Sequence, residues 1–185
     1  MVQIEVRNNA DALEVVRTVR QVRQYEEGSV SPDALNQILE IARWSGSSRN
    51  TQPWRFIVID DKAMLEQLAN LRPNITWAAE GALAIAIILP DENPPHEAYD
   101  AGRVTERMMI AARLLGLGAG TAWFGEPERE ARAKALLGVP EGMSCHSMVV
   151  IGPYVTSKDP RPTGPKPGRT PLDELVSYGR YGEKR

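Results

Sequence analysis

Two stretches carry residue types that could hold a polar ligand. Arg17, Arg20 and Arg23 recur at every third position, with Gln21 and Gln24 beside them. On a helix this spacing puts three guanidinium groups on one face with no matching run of acids. It reads either as a solvated helical face or as a clamp for phosphate, whose oxygens guanidinium forks bind bidentately. The second stretch is Ser45-Gly-Ser-Ser-Arg-Asn-Thr-Gln-Pro-Trp54. It brings hydroxyls, amides and backbone donors into a short joint between a helix and a strand. Alone it reads as an ordinary polar loop or as a seat for a planar polar ligand. The arginines upstream and a Pro/Gly-rich arm downstream, with Arg169 as a further cation, favour the ligand.

Other sources of chemistry are weaker. Gly116, Gly118 and Gly120 resemble a dinucleotide-binding cluster, but that signature follows a strand and opens a helix; here a helix precedes it. Gly164 to Thr170 has the wrong spacing for a phosphate loop, and Arg169 stands where the lysine belongs. His96 and His146 have no ligand partners at metal-binding spacing. Cys145, the single cysteine, sits in a strand-like apolar run and reads as a packed thiol. No Gly-x-Ser-x-Gly elbow is present. Nothing here supplies acid–base or covalent chemistry of its own, so an enzymatic reading requires a cofactor to carry the reaction.

Several elements must position these residues. Leu13, Val16 and Val19 predict a first helix over about 10–20, and residues 20–25 alternate like a strand. Ser31-Pro-Asp starts a second helix, with Leu35, Ile38, Leu39 and Ala42 as its buried stripe and Gly46 as its stop. A strand follows at 56–60, then a short helix from Lys62 to Leu71 that Pro73 ends. Ala82 to Leu89 is an apolar run, read as a strand buried on both faces or as a core helix. A Pro-rich excursion spans 90–96. A long central helix is predicted from Glu97 to Leu115, with Met108 and Met109 as core filler. A helix from Pro127 ends at Gly138, and Met143 to Ile151 is the last strand.

A chain of 185 residues with 42% apolar and 25% charged content is an ordinary single globular domain. Its net charge of -2 argues against a general nucleic-acid binder. No run approaches the ~20 apolar residues of a membrane helix, and the N-terminus lacks a signal-peptide h-region. A cytoplasmic protein is the expectation. Residues 1–151 read as the core and 152–185 as an arm of the same domain. In polyproline form twenty residues of the arm reach ~60 Å, far enough to cross onto a second copy.

Four motifs in order resemble the FMN-dependent nitroreductase family over nearly the whole chain. Arg20-Gln-Val-Arg-Gln-Tyr25 is similar to its Arg-Arg-Ser-Val-Arg-x-Phe opening, and Ser45 to Trp54 to its Ala-Pro-Ser-Ser-x-Asn-x-Gln-Pro-Trp motif. Leu115-Gly-Leu-Gly with Thr121-Ala-Trp123 resembles its Gly-Leu-Gly segment, and Gly168 to Val176 its Arg-x-Pro-Leu-Glu-Glu-Val pattern. The resemblance implies an α+β fold, with a mainly antiparallel central sheet flanked by helices, in an intertwined homodimer holding two FMN molecules. It implies that Arg20, Arg23 and Arg169 bind phosphate and that Gln21 approaches the ribityl chain. Ser47, Ser48 and Asn50 would reach the flavin from the other subunit, and Thr121, Ala122 and Trp123 would line its ring near N5. NADH or NADPH would be the reductant, and a small organic molecule such as a nitroaromatic or quinone the acceptor. A non-catalytic flavin-storage protein and a ligand-free structural dimer are the alternatives. Val19, Gln21 and Gly46 depart from the family's Arg, Ser and Pro, leaving Arg17 to substitute for one phosphate contact. The short segment from Leu89 to Asp100 implies an open substrate pocket.

Overall fold

The computed structural model describes residues 9–155 and 168–185. Its centre is a four-stranded sheet: β1 (Arg55–Ile59), β2 (Leu83–Ile88), β3 (Gly118–Trp123) and β4 (Ser147–Gly152), in the order β1-β2-β4-β3. Every neighbouring pair is antiparallel, with Val58 opposite Ile85, Ile85 opposite Val149, and Val149 opposite Thr121. The apolar run around β2 is thus a strand, buried throughout and central.

Period-two alternation divides β2 between two cores. Ala84, Ala86 and Ile88 face one with Leu65, Leu68, Ile75 and Phe124. Leu83, Ile85 and Ile87 face the other with Ile38, Trp54, Val104 and Met108. The first core is roofed by α3 (Lys62–Ala69) and α5 (Pro127–Leu137), and the second by α2 (Pro32–Arg43) and α4 (Pro94–Leu114). The architecture is α+β with helices on both faces of an antiparallel sheet. Met108 is fully enclosed, as core filler should be.

Local chemistry sets the helix ends. The Ser31 side chain accepts from the Ala34 amide at 3.2 Å, a cap worth about 1 kcal/mol. The α2 helix stops at Arg43, with Trp44 as its cap, before Gly46 is reached. Arg107 Nη1 donates to the Trp44 carbonyl at 2.6 Å and Arg103 Nη1 to that of Gly46 at 3.3 Å, so α4 satisfies carbonyls at this end. The α4 helix itself starts three residues before Glu97. That buried carboxylate accepts amides from Asp91, Glu92 and Asn93 at 3.1, 2.9 and 2.9 Å, closing the Pro-rich excursion against its own first turn. Pro73 opens a 3₁₀ run, Pro73–Glu80, directly after the turn that ends α3.

The first helix, α1 (Asn9–Thr18), ends earlier than the apolar spacing predicts. Val15 is its buried residue, and Leu13 and Val16 face outward. Arg20 and Arg23 therefore lie on an extended segment rather than on a helical face. The expectation of three guanidinium groups on one helix is corrected accordingly.

Among the described residues the C-terminal part, which holds α6 (Leu172–Leu175), makes its backbone hydrogen bonds within itself. Leu172 and Leu175 are 74% and 66% exposed. Most of the Pro/Gly-rich arm, 156–167, lies outside the described residues.

Candidate functional site

The site is built along the free edge of β3. After α1 the chain turns and runs beside that strand, where the Val22 amide donates to the Ala119 carbonyl at 2.9 Å. Further on, Tyr25 pairs antiparallel with Tyr154, and its hydroxyl donates to the Val150 carbonyl at 3.0 Å. Burial pushes that phenol well above its ordinary range, reinforced by the charge of Glu80. Gly120 makes the approach possible: a Cβ there would fall 2.2 Å from the Val22 carbonyl oxygen. The same bare position admits the Trp77 ring, which stacks on Tyr25 with centroids 6.4 Å apart.

Gln21 joins this edge through its side chain. Its Nε2 donates to the Thr121 carbonyl at 2.7 Å, and its Oε1 accepts the Thr121 amide at 2.9 Å. The carboxamide thus stands in for a peptide unit of an added strand. Arg20 and Arg23, on either side of the Gln21–Val22 pair, are exposed. Neither has a carboxylate within salt-bridge distance among the described residues. The backbone that carries these two arginines is therefore tied to the sheet edge through Val22 and Gln21. Arg17 is in a different position: Glu14 holds it at 2.6 and 2.7 Å, and this contact lowers the Glu14 pKa and raises that of Arg17.

The Ser45 to Trp54 stretch is clamped at both ends by burial, with Ser45 and Trp54 each 5% exposed. Between them Ser47 Oγ accepts the Gln52 amide at 2.9 Å, and Ser48–Asn50 form a 3₁₀ turn. Arg49, Asn50 and Gln52 have φ of 49°, 56° and 48°. Left-handed non-glycine residues cost of order 1–3 kcal/mol each and cluster at ligand clamps. Ser48 and Asn50 point their chemistry outward, being exposed.

This loop feeds β1, whereas Arg20, Gln21, Arg23 and Thr121 lie at β3. The two strands are opposite edges of the sheet, three strand spacings or roughly 14 Å apart. One chain brings Arg20, Gln21, Arg23, Thr121, Ala122 and Trp123 together and leaves Ser47, Ser48 and Asn50 at the far edge. Of the strand residues, Ala122 is fully buried and Thr121 half-buried, while Trp123 is 52% exposed. Arg169 is exposed in the C-terminal segment.

Arg72 and Arg129 also belong here, though no spacing in the sequence connects them to β3. Arg72 Nη1 donates to the Trp123 carbonyl at 3.0 Å, and its guanidinium carbon lies 4.9 Å from the centre of the Trp123 ring. Cys145 is wholly enclosed; burial foremost, then the charge of Glu130, pushes its thiol up to about 12. It is a packed group, not a nucleophile. Among the described residues no cluster of three His, Cys, Asp or Glu side chains could hold a metal ion, and no helix is long and apolar enough to cross a membrane.

The model of the nitroreductase family matches residues 16–85. A protein of Archaeoglobus fulgidus named "Putative NADH dehydrogenase/NAD(P)H nitroreductase" is 32% identical over 160 residues, covering 80% of this chain and 88% of its own length. Among solved structures, NfrA2 of B. megaterium superposes with a TM-score of 0.81 at 23% identity, covering 92% of this chain and 74% of that one. An FMN-dependent nitroreductase of Clostridium difficile does so with a TM-score of 0.77 at 23% identity, covering 91% and 99%. At such identities the structural likeness is one of fold.

Proposed function

The chain belongs to the nitroreductase family, and on that premise we propose that it is an FMN-dependent oxidoreductase passing electrons from NADH or NADPH to a small organic acceptor such as a nitroaromatic or quinone. The observation that carries this reading is a pair of guanidiniums, Arg20 and Arg23, with no carboxylate partner among the described residues, on a segment tied to the β3 edge through Val22 and Gln21. A phosphate monoester is well held by guanidinium donors without competing carboxylates, and these two arginines would offer such donors from neighbouring positions on the edge. The residues present fit the group. Arg20 and Arg23 would hold its phosphate, with Arg169 as a third cation. Thr121, Ala122 and Trp123 would border its ring system.

Besides the ribityl contact, which its second N–H and second oxygen lone pair leave open, Gln21 would set the spacing between the arginines and the ring-bordering strand, since each of its polar atoms bonds Thr121. Ser47, Ser48 and Asn50, which precede the opposite edge strand, would complete the site from a second chain. A homodimer in which each copy lends this loop to the other's β3 edge accounts for both the separation and the strained, outward-facing turn. It also gives a use to Leu172 and Leu175, whose exposure in one chain leaves two leucines uncovered. The arm, 152–185, would be part of the same domain and pack on the partner. FMN, when bound, supplies a ring that accepts a hydride from the nicotinamide and returns two electrons to the acceptor. The protein's own contribution is orientation, the positive field of its arginines, and exclusion of water by the Trp77–Tyr25 stack beneath the edge.

The test is anaerobic. NADH or NADPH should bleach the visible flavin bands of the reconstituted protein, and a nitroaromatic or quinone should restore them. Bands that persist after either nucleotide would identify a flavin carrier instead of an enzyme.

A further inference from the structure

Where β3 ends, two arginines converge on a bare turn. Gly125 has φ +96°, and a Cβ there would lie 3.6 Å from Arg72 Cδ and Cζ and 3.5 Å from Arg129 Nη1. Arg72 arrives from the residue before the 3₁₀ run and Arg129 from the first turn of α5. Arg72 has no carboxylate within 4.0 Å among the described residues. Arg129 has Glu126 at 3.5 Å, a long pair whose carboxylate is exposed and neutralises it weakly. Beside them the Trp123 ring is half-exposed. Two like charges brought together, half-buried, repel unless an anion joins them, and a flat apolar surface next to them suits an aromatic body.

We propose that Arg72 and Arg129 form an anion subsite that selects, as electron acceptor, a planar aromatic molecule carrying a carboxylate. The inference rests on the proposed function, in which Trp123 borders the flavin ring. The carboxylate would lie in the fork of the two guanidiniums over Gly125, and the aromatic body would extend along Trp123 toward the reacting ring. Glycine at 125 is then required twice, for its left-handed backbone and for the space a Cβ would take from the anion.

The experiment uses the FMN-loaded protein and two probes of nearly one shape, 4-nitrobenzoate and 4-nitrobenzamide. Their dissociation constants from the oxidised protein are measured by calorimetry, without reductant, and their kcat/KM values with saturating NADH and with saturating NADPH. The wild-type protein should prefer the carboxylate by about tenfold or more, as charge-assisted bonds require. Arg129→Gln should cut that preference by about tenfold in both measurements, and Arg129→Lys should return most of it. Arg72→Gln should act in the same direction. Equal losses for both probes, or a wild-type protein that treats them alike while holding FMN, would overturn the subsite alone. So would a loss that follows NADPH but not NADH, since the anion recognised would then be the reductant's phosphate. A wild-type protein that neither retains FMN nor reduces either probe would remove the functional reading and the subsite with it.

Discussion

Gln21 and Thr121, a hundred positions apart, are paired through a side-chain amide and a backbone peptide in both directions, at 2.7 and 2.9 Å. The pairing turns the chain after α1 into an accessory strand and fixes where its arginines stand. Gln21→Glu keeps the size but cannot donate to the Thr121 carbonyl. It should destabilise the protein by about 1–3 kcal/mol in urea unfolding, because a carbonyl and a carboxylate oxygen are left opposed. Flavin retention should fall with it. A Gln21→Glu protein as stable as the parent would show that the pairing contributes nothing.

Gly120 is the second support of that edge. A methyl group 2.2 Å from the Val22 carbonyl oxygen cannot be absorbed by a side-chain rotation, because the obstacle is backbone. Gly120→Ala should either force the 19–25 segment off β3 or cost about 3 kcal/mol, at the upper end of overpacking penalties. Thermal unfolding followed by circular dichroism measures the second outcome and flavin content the first. An unchanged melting temperature with full flavin would contradict the packing of this edge.

Much of this arrangement was legible in the residues. The alternation from Arg20 to Tyr25 marks an extended segment, and the Ser31-Pro-Asp start, the β2 run and the Gly138 stop all lie where local chemistry sets them. The motif from Ser45 to Trp54 is likewise a loop with a buried tryptophan at its end. Two things were not legible. The role of Gln21 depends on a partner supplied by the sheet order, and a glutamine carries no local mark of mimicking a peptide. Arg72 and Arg129 meet only because the turn at Gly125 brings α5 back over the end of α3, a tertiary event with no periodic signal. The α1 stripe misleads as well: Leu13 and Val16 suggest a buried face, yet in the single chain they are exposed and Val15 is buried.

Alkaline pH should loosen the fold from within. The Cys145 thiol is raised from 9.0 to about 12 by burial, and the Tyr25 phenol is raised further by the same cause. Both groups bind their protons more tightly folded than unfolded, so their contribution is complete below the unfolded value. For Cys145 it is lost as pH climbs from about 9 toward 12. Urea midpoints should be flat between pH 7 and about 8.5 and decline above that. Cys145→Ala should flatten part of the decline. In the native protein at pH 8 a thiol reagent should label Cys145 only after denaturant is added. Rapid labelling without denaturant would refute its enclosure.

Leu172 and Leu175 test the assembly. Replacing both by Ser removes two large apolar groups that are exposed in one chain and should therefore leave the core untouched. If these leucines pack on the partner, the double variant sediments as a monomer at concentrations where the parent is a dimer, and it loses flavin as it dissociates. A parent protein that is itself monomeric while holding flavin would show that one chain suffices.

The most direct test of the central claim, that arginines on the β3 edge grip a mononucleotide by its phosphate, is the ratio of affinities for FMN and riboflavin. The parent protein should bind FMN at least about a hundredfold more tightly than riboflavin, the return expected from charge-assisted phosphate contacts. The Arg20→Ala, Arg23→Ala double variant should remain folded and bind the two flavins nearly alike. Equal affinity for FMN and riboflavin in the parent, or undiminished FMN preference in the double variant, would contradict the claim.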